Sequence, residues 1–562
     1  MIYSNKKVVQ ILGEIFQKKL IFNIIISPGS RNAPIIIHFT QNKIFNTYSI
    51  IDERCAGFFA LGMAQKLKQP VVINCTSGSS VVNYYPSITE AFYQKIPIII
   101  VTADRPNKKI NILEGQTIHQ ENIFKNHVVS FSQLTEDESK IGIWYNNNLI
   151  NESINKCILT SQPVHINIPF SEPLYEITNS LQVEIKNIKI FPTKKYIKKH
   201  LFYKEKKIWN NCKKKMILLG LNNYYNNIKK LKQILEKICL DPSIIIFSES
   251  TSHINGDMFF SNIDQIFYSM DLKKWKKFKP TILITFGINI ISKRIRSFLR
   301  NSPPKYHWHI GDNYEKYPDT YYKLNTYWSI DPELFFKIII NDNFIYSNYR
   351  KSWINFIKVK MNKQEKFLKN ENKFSDLKVI FFIFSKIPKN SILHLGNSMI
   401  IRYYQFFNKK KTISYCNRGT SGIEGSVSTA IGYSILSKKT VTLIIGDISF
   451  FYDSNALWNN YTPNNFRIIL INNGKGNIFD IVSNKKFSSK TNNFFKTKHT
   501  LSAKNICKMY NWNYINVCDQ KNLEKNLIFF WKKTNNPFLL EINTKKCNNT
   551  NIFKKFLYYT SK

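Results

Sequence analysis

What this sequence lacks narrows its class before any motif is read. No uninterrupted run of about 18 apolar residues occurs, so no membrane-spanning helix is expected. The N-terminal stretch MIYSNKKVVQILGEIFQKK is broken by Glu14, Lys18 and Lys19. It predicts an amphipathic first helix without the apolar core of a signal peptide. Cysteine is sparse, odd in number and dispersed: nine residues with no CxxC pair. That usage indicates neither a disulfide framework nor a zinc site, and fits reduced thiols in a cytoplasmic protein. No short-period repeat is visible, so a solenoid is not expected.

Acidic residues are scarce, 37 against 81 Lys and Arg, which leaves a formal net charge of +44. Taken alone, such a surplus suggests nucleic-acid binding. The lysines, however, are spread through every segment and form no separate basic tail. They arrive with abundant Ile, Asn, Phe and Tyr, all residues with AT-rich codons, so compositional drift accounts for them and no nucleic-acid partner is expected. At 562 residues the chain is too long for one ordinary core, and two to four domains are expected. Hydrophobic residues make up 43%, enough to fill large cores.

Short apolar runs set the architecture. FNIIIS (22–27), PVVINC (70–75), PIIIVTAD (97–104) and PVHINIPF (163–170) are rich in Ile and Val and bounded by Gly, Pro or Ser. That is the pattern of parallel strands buried on both faces. The segments between them, such as 53–68, are long enough for crossover helices, so an α/β unit follows. Residues 176–212 are polar, Lys-rich and contain Pro192, and read as a linker with some helix. MILLGL (216–221), SIIIFSES (243–250) and TILITFG (281–287) predict a second α/β unit, and 341–372 a helical connection. ILHLGN (392–397), TISYCN (412–417), VTLIIGD (441–447), FRIILINN (466–473) and PFLLEIN (537–543) predict a third.

Two strand ends of the third unit belong together: Gly446-Asp447, and Asn472-Asn473 one crossover later. Adjacent parallel strands bring their C-terminal ends to the sheet edge where ligands of open α/β sheets bind. An Asp carboxylate and an Asn amide oxygen are hard ligands. With a backbone carbonyl, a water and two phosphate oxygens they complete an octahedral Mg²⁺. Gly446 lets the backbone approach the phosphates closely. Either dipeptide alone is an ordinary turn in a chain this rich in Asn; the pair, each after a buried strand, points to a metal-diphosphate site. In the first unit, SIIDERCAGFFALGMA (49–64) places Glu53 where a strand meets a helix of small residues, Ala56, Gly57, Ala60, Gly62 and Ala64. An acid there commonly offsets the helix dipole. Asp52 can fill that role; the functional reading of Glu53 is a carboxylate buried between subunits.

This combination resembles the thiamine-diphosphate enzymes of the pyruvate-decarboxylase and acetolactate-synthase type. The resemblance implies an α/β fold of three parallel-sheet domains: pyrimidine-binding at 1–178, middle at 190–345 and diphosphate-binding at 365–562. It implies that Glu53 bonds the cofactor's aminopyrimidine. It also implies at least a homodimer, dimer or tetramer, with active sites at subunit interfaces. SPGSRNAPI (27–35), TADRP (102–106), GQTIHQ (115–120), Lys293-Arg294, GNSMIIR (396–402) and NRGTSGIEG (417–425) narrow the choice. Together they are similar to the 2-succinyl-5-enolpyruvyl-6-hydroxy-3-cyclohexene-1-carboxylate synthases of the menaquinone pathway. That family decarboxylates 2-oxoglutarate and adds the remaining fragment to isochorismate, using thiamine diphosphate with Mg²⁺ or Mn²⁺.

Both substrates are anions, so their site should be rich in Arg and Lys. The resemblance assigns Ser398 and Arg402 to the succinyl carboxylate, and Ser30, Arg31, Arg105, Gln116, Lys293 and Arg294 to isochorismate. Arg418 joins the same set of cations. Ile423 would prop the bent cofactor, Ile478 and Phe479 would wall its thiazolium, and the Lys475 carbonyl would complete the metal shell beside Asp447 and Asn473. Three positions depart from the family pattern. Ile448 stands for the third residue of the usual GDG, Gly115 for an Asn carried by some relatives, and Lys475 for a residue whose side chain is immaterial to a carbonyl ligand. Two alternatives stay open: another 2-oxoacid carboligase of the acetolactate-synthase kind, and a catalytically dead binding protein.

Overall fold

Buried aliphatic runs become the strands of three separate parallel sheets in the computed structural model. It describes residues 2–190, 202–223, 225, 227–268, 270–311, 317–340, 344–407, 412–482 and 488–562. Pro192, placed above in a linker, lies outside the described residues.

The first sheet has six strands in the order Asn46–Ser49, Asn23–Ser27, Val71–Cys75, Ile98–Asp104, Val164–Pro169 and Phe131–Gln133. A two-residue antiparallel pairing of Tyr3–Ser4 with Ile177–Thr178 brings the start of the chain beside the end of this unit. The second sheet runs Ile244–Ser248, Lys215–Leu219, Ile282–Phe286, Tyr306–Ile310 and Leu324–Trp328. The third runs Ile413–Tyr415, Ile392–Leu395, Val441–Gly446, Phe466–Asn472, Phe538–Asn543 and Asn513–Val517. Their central strands are mostly buried Ile, Val and Leu on both faces, as sheets covered by helices on each side require.

The first and third units share a core. Helix Glu53–Leu67 lies against helix Ser426–Ile435, and Phe58, Phe59, Ala60, Met63, Val427, Ala430 and Ile431 belong to one buried cluster with strands of both sheets. Two glycines let the helix backbones touch. A Cβ on Gly62 would fall 1.9 Å from the Thr429 carbonyl oxygen, and one on Gly432 would fall 2.0 Å from that of Phe59.

Buried carboxylates fix the remaining joints. Asp453 accepts from the Val427 and Ser428 amides at 2.7 and 2.9 Å and so caps the helix that starts at Ser426. Glu90, from the first unit, accepts from the Gly419 and Thr420 amides at 2.7 and 2.6 Å. In the middle unit, Glu249 accepts from the amides of Ile291 and Ser292, which precede helix Lys293–Asn301, and from the Gln405 side chain of the third unit. Glu249 is fully buried, and that burial pushes its carboxyl up to about 7.

Candidate active site

The two strand ends singled out in the sequence are neighbours. Val441–Gly446 and Phe466–Asn472 pair in parallel, with Gly446 opposite Ile471, so Asp447 and Asn473 emerge at one sheet edge. Asp447 opens a short helix and is 3% exposed. One oxygen accepts from the Ile448 amide at 2.9 Å and the other from the Gly474 amide at 2.7 Å, which joins the two loops. Burial raises its carboxyl above the ordinary carboxylate value. His499 stands 3.2 Å from the second oxygen through Nε2. Its Nδ1 accepts from the Leu501 amide at 3.2 Å, so the neutral ring carries its proton on the nitrogen that faces Asp447.

A cavity of roughly 350 Å³ opens above these residues. Its lining unites eight of the residues picked out from sequence: Ser398, Ile423, Gly446, Asp447, Asn473, Lys475, Ile478 and Phe479. A Cβ at Gly446 would meet no protein atom within 4 Å and would stand in open space. Ser398 precedes helix Met399–Phe407 with a left-handed φ of 66°. Asn477 lies close enough to Asp376 to favour its charged form, yet neither of its buried amide atoms is in hydrogen-bonding geometry. A backbone cradle without side chain, two oxygen-bearing side chains at its mouth and unsatisfied polar atoms in its wall fit a diphosphate with its divalent metal.

The cations separate into two groups. Lys293, Arg402 and Arg418 gather where the middle unit meets the third. Burial lowers the Lys293 ammonium, and the charges of Arg402, Arg296 and Arg418 lower it further. Arg418 donates to the Asn397 side-chain oxygen at 3.0 Å and its carbonyl accepts from Asn289 at 2.9 Å. Arg294 lies over the Tyr268 ring, 4.5 Å from its centroid. Arg31 and Arg105 form the second group, in the first unit. Arg31 is 4% exposed, donates to the Phe170 carbonyl at 2.8 Å and pairs with Glu172 at 3.0 Å. Burial and the nearby Arg105 both lower its guanidinium. Arg105 pairs with Glu114 at 3.4 Å. Ser30 and Gln116 are exposed, and Gln116 holds a left-handed φ of 55°.

Glu53 begins its helix beside Asp52, which accepts from the Cys55 amide at 3.1 Å and fills the capping role. The Glu53 carboxylate accepts from Asn83 at 3.3 Å. Glu53, Ser30, Arg31, Arg105 and Gln116 of the first unit do not line the cavity of their own chain, and neither do the cations Lys293, Arg294, Arg402 and Arg418. The sequence reading missed Asp376, Asn397 and His499. Asn397 sits inside the quoted GNSMIIR motif and donates to the Asn417 and Gly422 carbonyls, both at 2.7 Å. Asp376 follows Ser375, whose hydroxyl caps helix Asp376–Lys386, a signal visible in sequence only as a helix start. His499 follows no local pattern.

Comparison with known proteins identifies the family. Residues 6–128 match the thiamine pyrophosphate enzyme N-terminal TPP binding domain. Residues 395–542 match the C-terminal TPP binding domain of the same enzymes. A relative from Flavobacterium johnsoniae is 44% identical over 560 residues, covering 99% of each chain. It is named 2-succinyl-5-enolpyruvyl-6-hydroxy-3-cyclohexene-1-carboxylate synthase. The chain belongs to this synthase family. Relatives of the same name from Christiangramia forsetii, 41% identical over all of both chains, and Bacteroides fragilis, 34% identical over 99% of each, extend the match. All the residues that line the cavity except Asp376 lie in the second matched segment.

Proposed function

We propose that this chain decarboxylates 2-oxoglutarate and joins the remaining four-carbon fragment to isochorismate, a transferase reaction of menaquinone biosynthesis. The observation that carries the proposal is the cavity that brings Asp447, Asn473, Gly446 and Ser398 to one sheet edge. Thiamine diphosphate, when bound, supplies the nucleophilic carbon and the electron sink for decarboxylation. Asp447, Asn473 and the Lys475 carbonyl would hold its Mg²⁺ or Mn²⁺, and Gly446 would leave room for the diphosphate. Ile423 would prop the bent cofactor, and Ile478 and Phe479 would wall its thiazolium. Ser398 and Arg402 take the succinyl carboxylate; Ser30, Arg31, Arg105, Gln116, Lys293 and Arg294 take isochorismate, with Arg418 beside them. Buried, unpartnered Nε atoms on Arg402 and Arg418 support an anion site there.

Glu53 would hydrogen-bond the cofactor's aminopyrimidine and hold a proton there. In this reading the catalytic unit is a homo-oligomer, dimer or tetramer, in which Glu53 of one protomer completes the site of another; the position of Glu53 away from the cavity of its own chain supports it. The functional boundaries are 1–178, 190–345 and 365–562. No helix among the described residues is long and apolar enough to cross a membrane; we place the enzyme in the cytoplasm. An acetolactate-synthase-like carboligase is disfavoured by the clustered cations, which uncharged acceptors do not need. Incubation with 2-oxoglutarate, isochorismate, thiamine diphosphate and Mg²⁺, with the product weighed by mass spectrometry, tests the proposal. Consumption of pyruvate with 2-oxoglutarate untouched would reject it.

A further inference from the structure

Asn473 can ligate a metal only through its amide oxygen, and an amide can turn either end toward a site. The side chain that decides between them comes from elsewhere. Asp376 opens helix Asp376–Lys386, is 1% exposed, and lines the same cavity. Its Oδ2 accepts from Asn473 Nδ2 at 2.8 Å and its Oδ1 from the Thr544 hydroxyl at 2.5 Å. Its own amide donates to the Asn549 side chain at 2.8 Å. Thr544 is tied in turn to the metal-side strand, because its amide donates to the Asn472 carbonyl at 3.0 Å.

A carboxylate accepts and does not donate. With Oδ1 already engaged, Asp376 offers Asn473 an acceptor alone, so the Asn473 amide nitrogen must face Asp376 and its oxygen must face away. That oxygen receives one long contact, from the Lys475 amide at 3.3 Å, which leaves a lone pair for another partner. We propose that Asp376 is a positioning residue that locks the Asn473 amide with its oxygen toward the metal. The proposal rests on the metal-diphosphate reading of the cavity. Metal ligands are commonly oriented by such an outer partner, whose loss typically costs about 10–100-fold in metal affinity.

The test is Mn²⁺ binding to the full chain with thiamine diphosphate, followed by the electron paramagnetic resonance of free Mn²⁺. Asp376→Asn presents an amide that can donate to Asn473 and turn it over, so Mn²⁺ affinity should fall about 10–100-fold. The exchange Asp376→Asn with Asn473→Asp restores one carboxylate and one amide, with an oxygen toward the metal whichever way residue 473 turns. It should return affinity to within a few-fold of the parent, a coupling that two independent losses would not give. Asp447→Ala is the control for the site itself. If Asp447→Ala lowers Mn²⁺ affinity and Asp376→Asn does not, the positioning role is wrong and the site stands. If Asp447→Ala leaves affinity unchanged, the site reading fails first. Should the single Asp376→Asn variant not fold, the exchanged protein decides: near-parent affinity supports the role, and a loss of tenfold or more overturns it.

Discussion

Replacing Gly62 by alanine should destabilise the protein, although helix propensity alone predicts the opposite. Gly62 lies inside helix Glu53–Leu67, where Gly→Ala ordinarily gains about 1 kcal/mol. Here the new Cβ would stand 1.9 Å from the Thr429 carbonyl oxygen and 2.8 Å from the Tyr433 nitrogen. A carbon-to-oxygen contact relaxes at about 3.3 Å, so the helices must part by about 1.4 Å. The obstacle is backbone on both sides, and no rotamer can yield. A gap of about 0.5–1 Å already forfeits a quarter to a half of each dispersion contact across an interface. Overpacking of this kind costs about 1–3 kcal/mol. Taking the upper end against the propensity gain leaves a net loss of about 2 kcal/mol.

The assay is guanidinium unfolding followed by circular dichroism, with the midpoint lowered and the slope unchanged. Gly432→Ala is the mirror case, its Cβ 2.0 Å from the Phe59 carbonyl oxygen. One separation of the helices relieves both clashes, so the double variant should cost less than the two singles together. A Gly62→Ala protein as stable as the parent, or more so, would refute the backbone-to-backbone packing from which the magnitude is worked.

Other perturbations have equally definite outcomes. Glu249, held at about 7 against an ordinary 4.5, favours the folded state when protonated. Its stabilisation is therefore full below about pH 4.5 and lost as pH rises through 7, about 3 kcal/mol over the window. Urea titrations at pH 5 and 8 should show that difference in the parent and a much smaller one in Glu249→Gln. Asp447→Ala should abolish the rise in melting temperature that thiamine diphosphate and Mg²⁺ give the parent, a shift worth about 2.7 kcal/mol at a hundredfold excess over Kd. Glu53→Gln should lower kcat by orders of magnitude in steady-state assays while its circular dichroism matches the parent. Unchanged turnover would remove Glu53 from the chemistry.

Most of the strands could be read from sequence because central parallel strands bury both faces and need unbroken Ile and Val. Those not read are mainly edges. Asn46–Ser49, Phe131–Gln133, Leu324–Trp328 and Asn513–Val517 each close one side of a sheet, keep polar residues and stay partly exposed. Tyr306–Ile310 is interior but carries His307 and His309, which become tolerable there because Thr285 bonds both, at 2.9 and 2.8 Å. That pairing depends on the neighbouring strand, and no window of sequence around residue 308 contains it.

The site divides along the same line. Asp447 and Asn473 could be picked out because strand ends mark themselves, and the strands that carry them are neighbours. Asp376 could not, because it reaches Asn473 from a helix that starts before the first strand of the third sheet, with Thr544 and Asn549 behind it. A ligand announces itself by its place on a strand, whereas the group that orients it is defined only by where the chain returns. The joints between units follow the same logic: Glu90 holds the Gly419-Thr420 turn, and Glu249 bridges the start of the Lys293 helix to Gln405, one turn beyond Arg402. If the cations of the middle and third units act on one anion, their spacing depends on these buried acids as much as on the arginines themselves. Loss of Glu249 should then disturb substrate binding and pH-dependent stability together, whereas loss of Arg402 should disturb substrate binding alone.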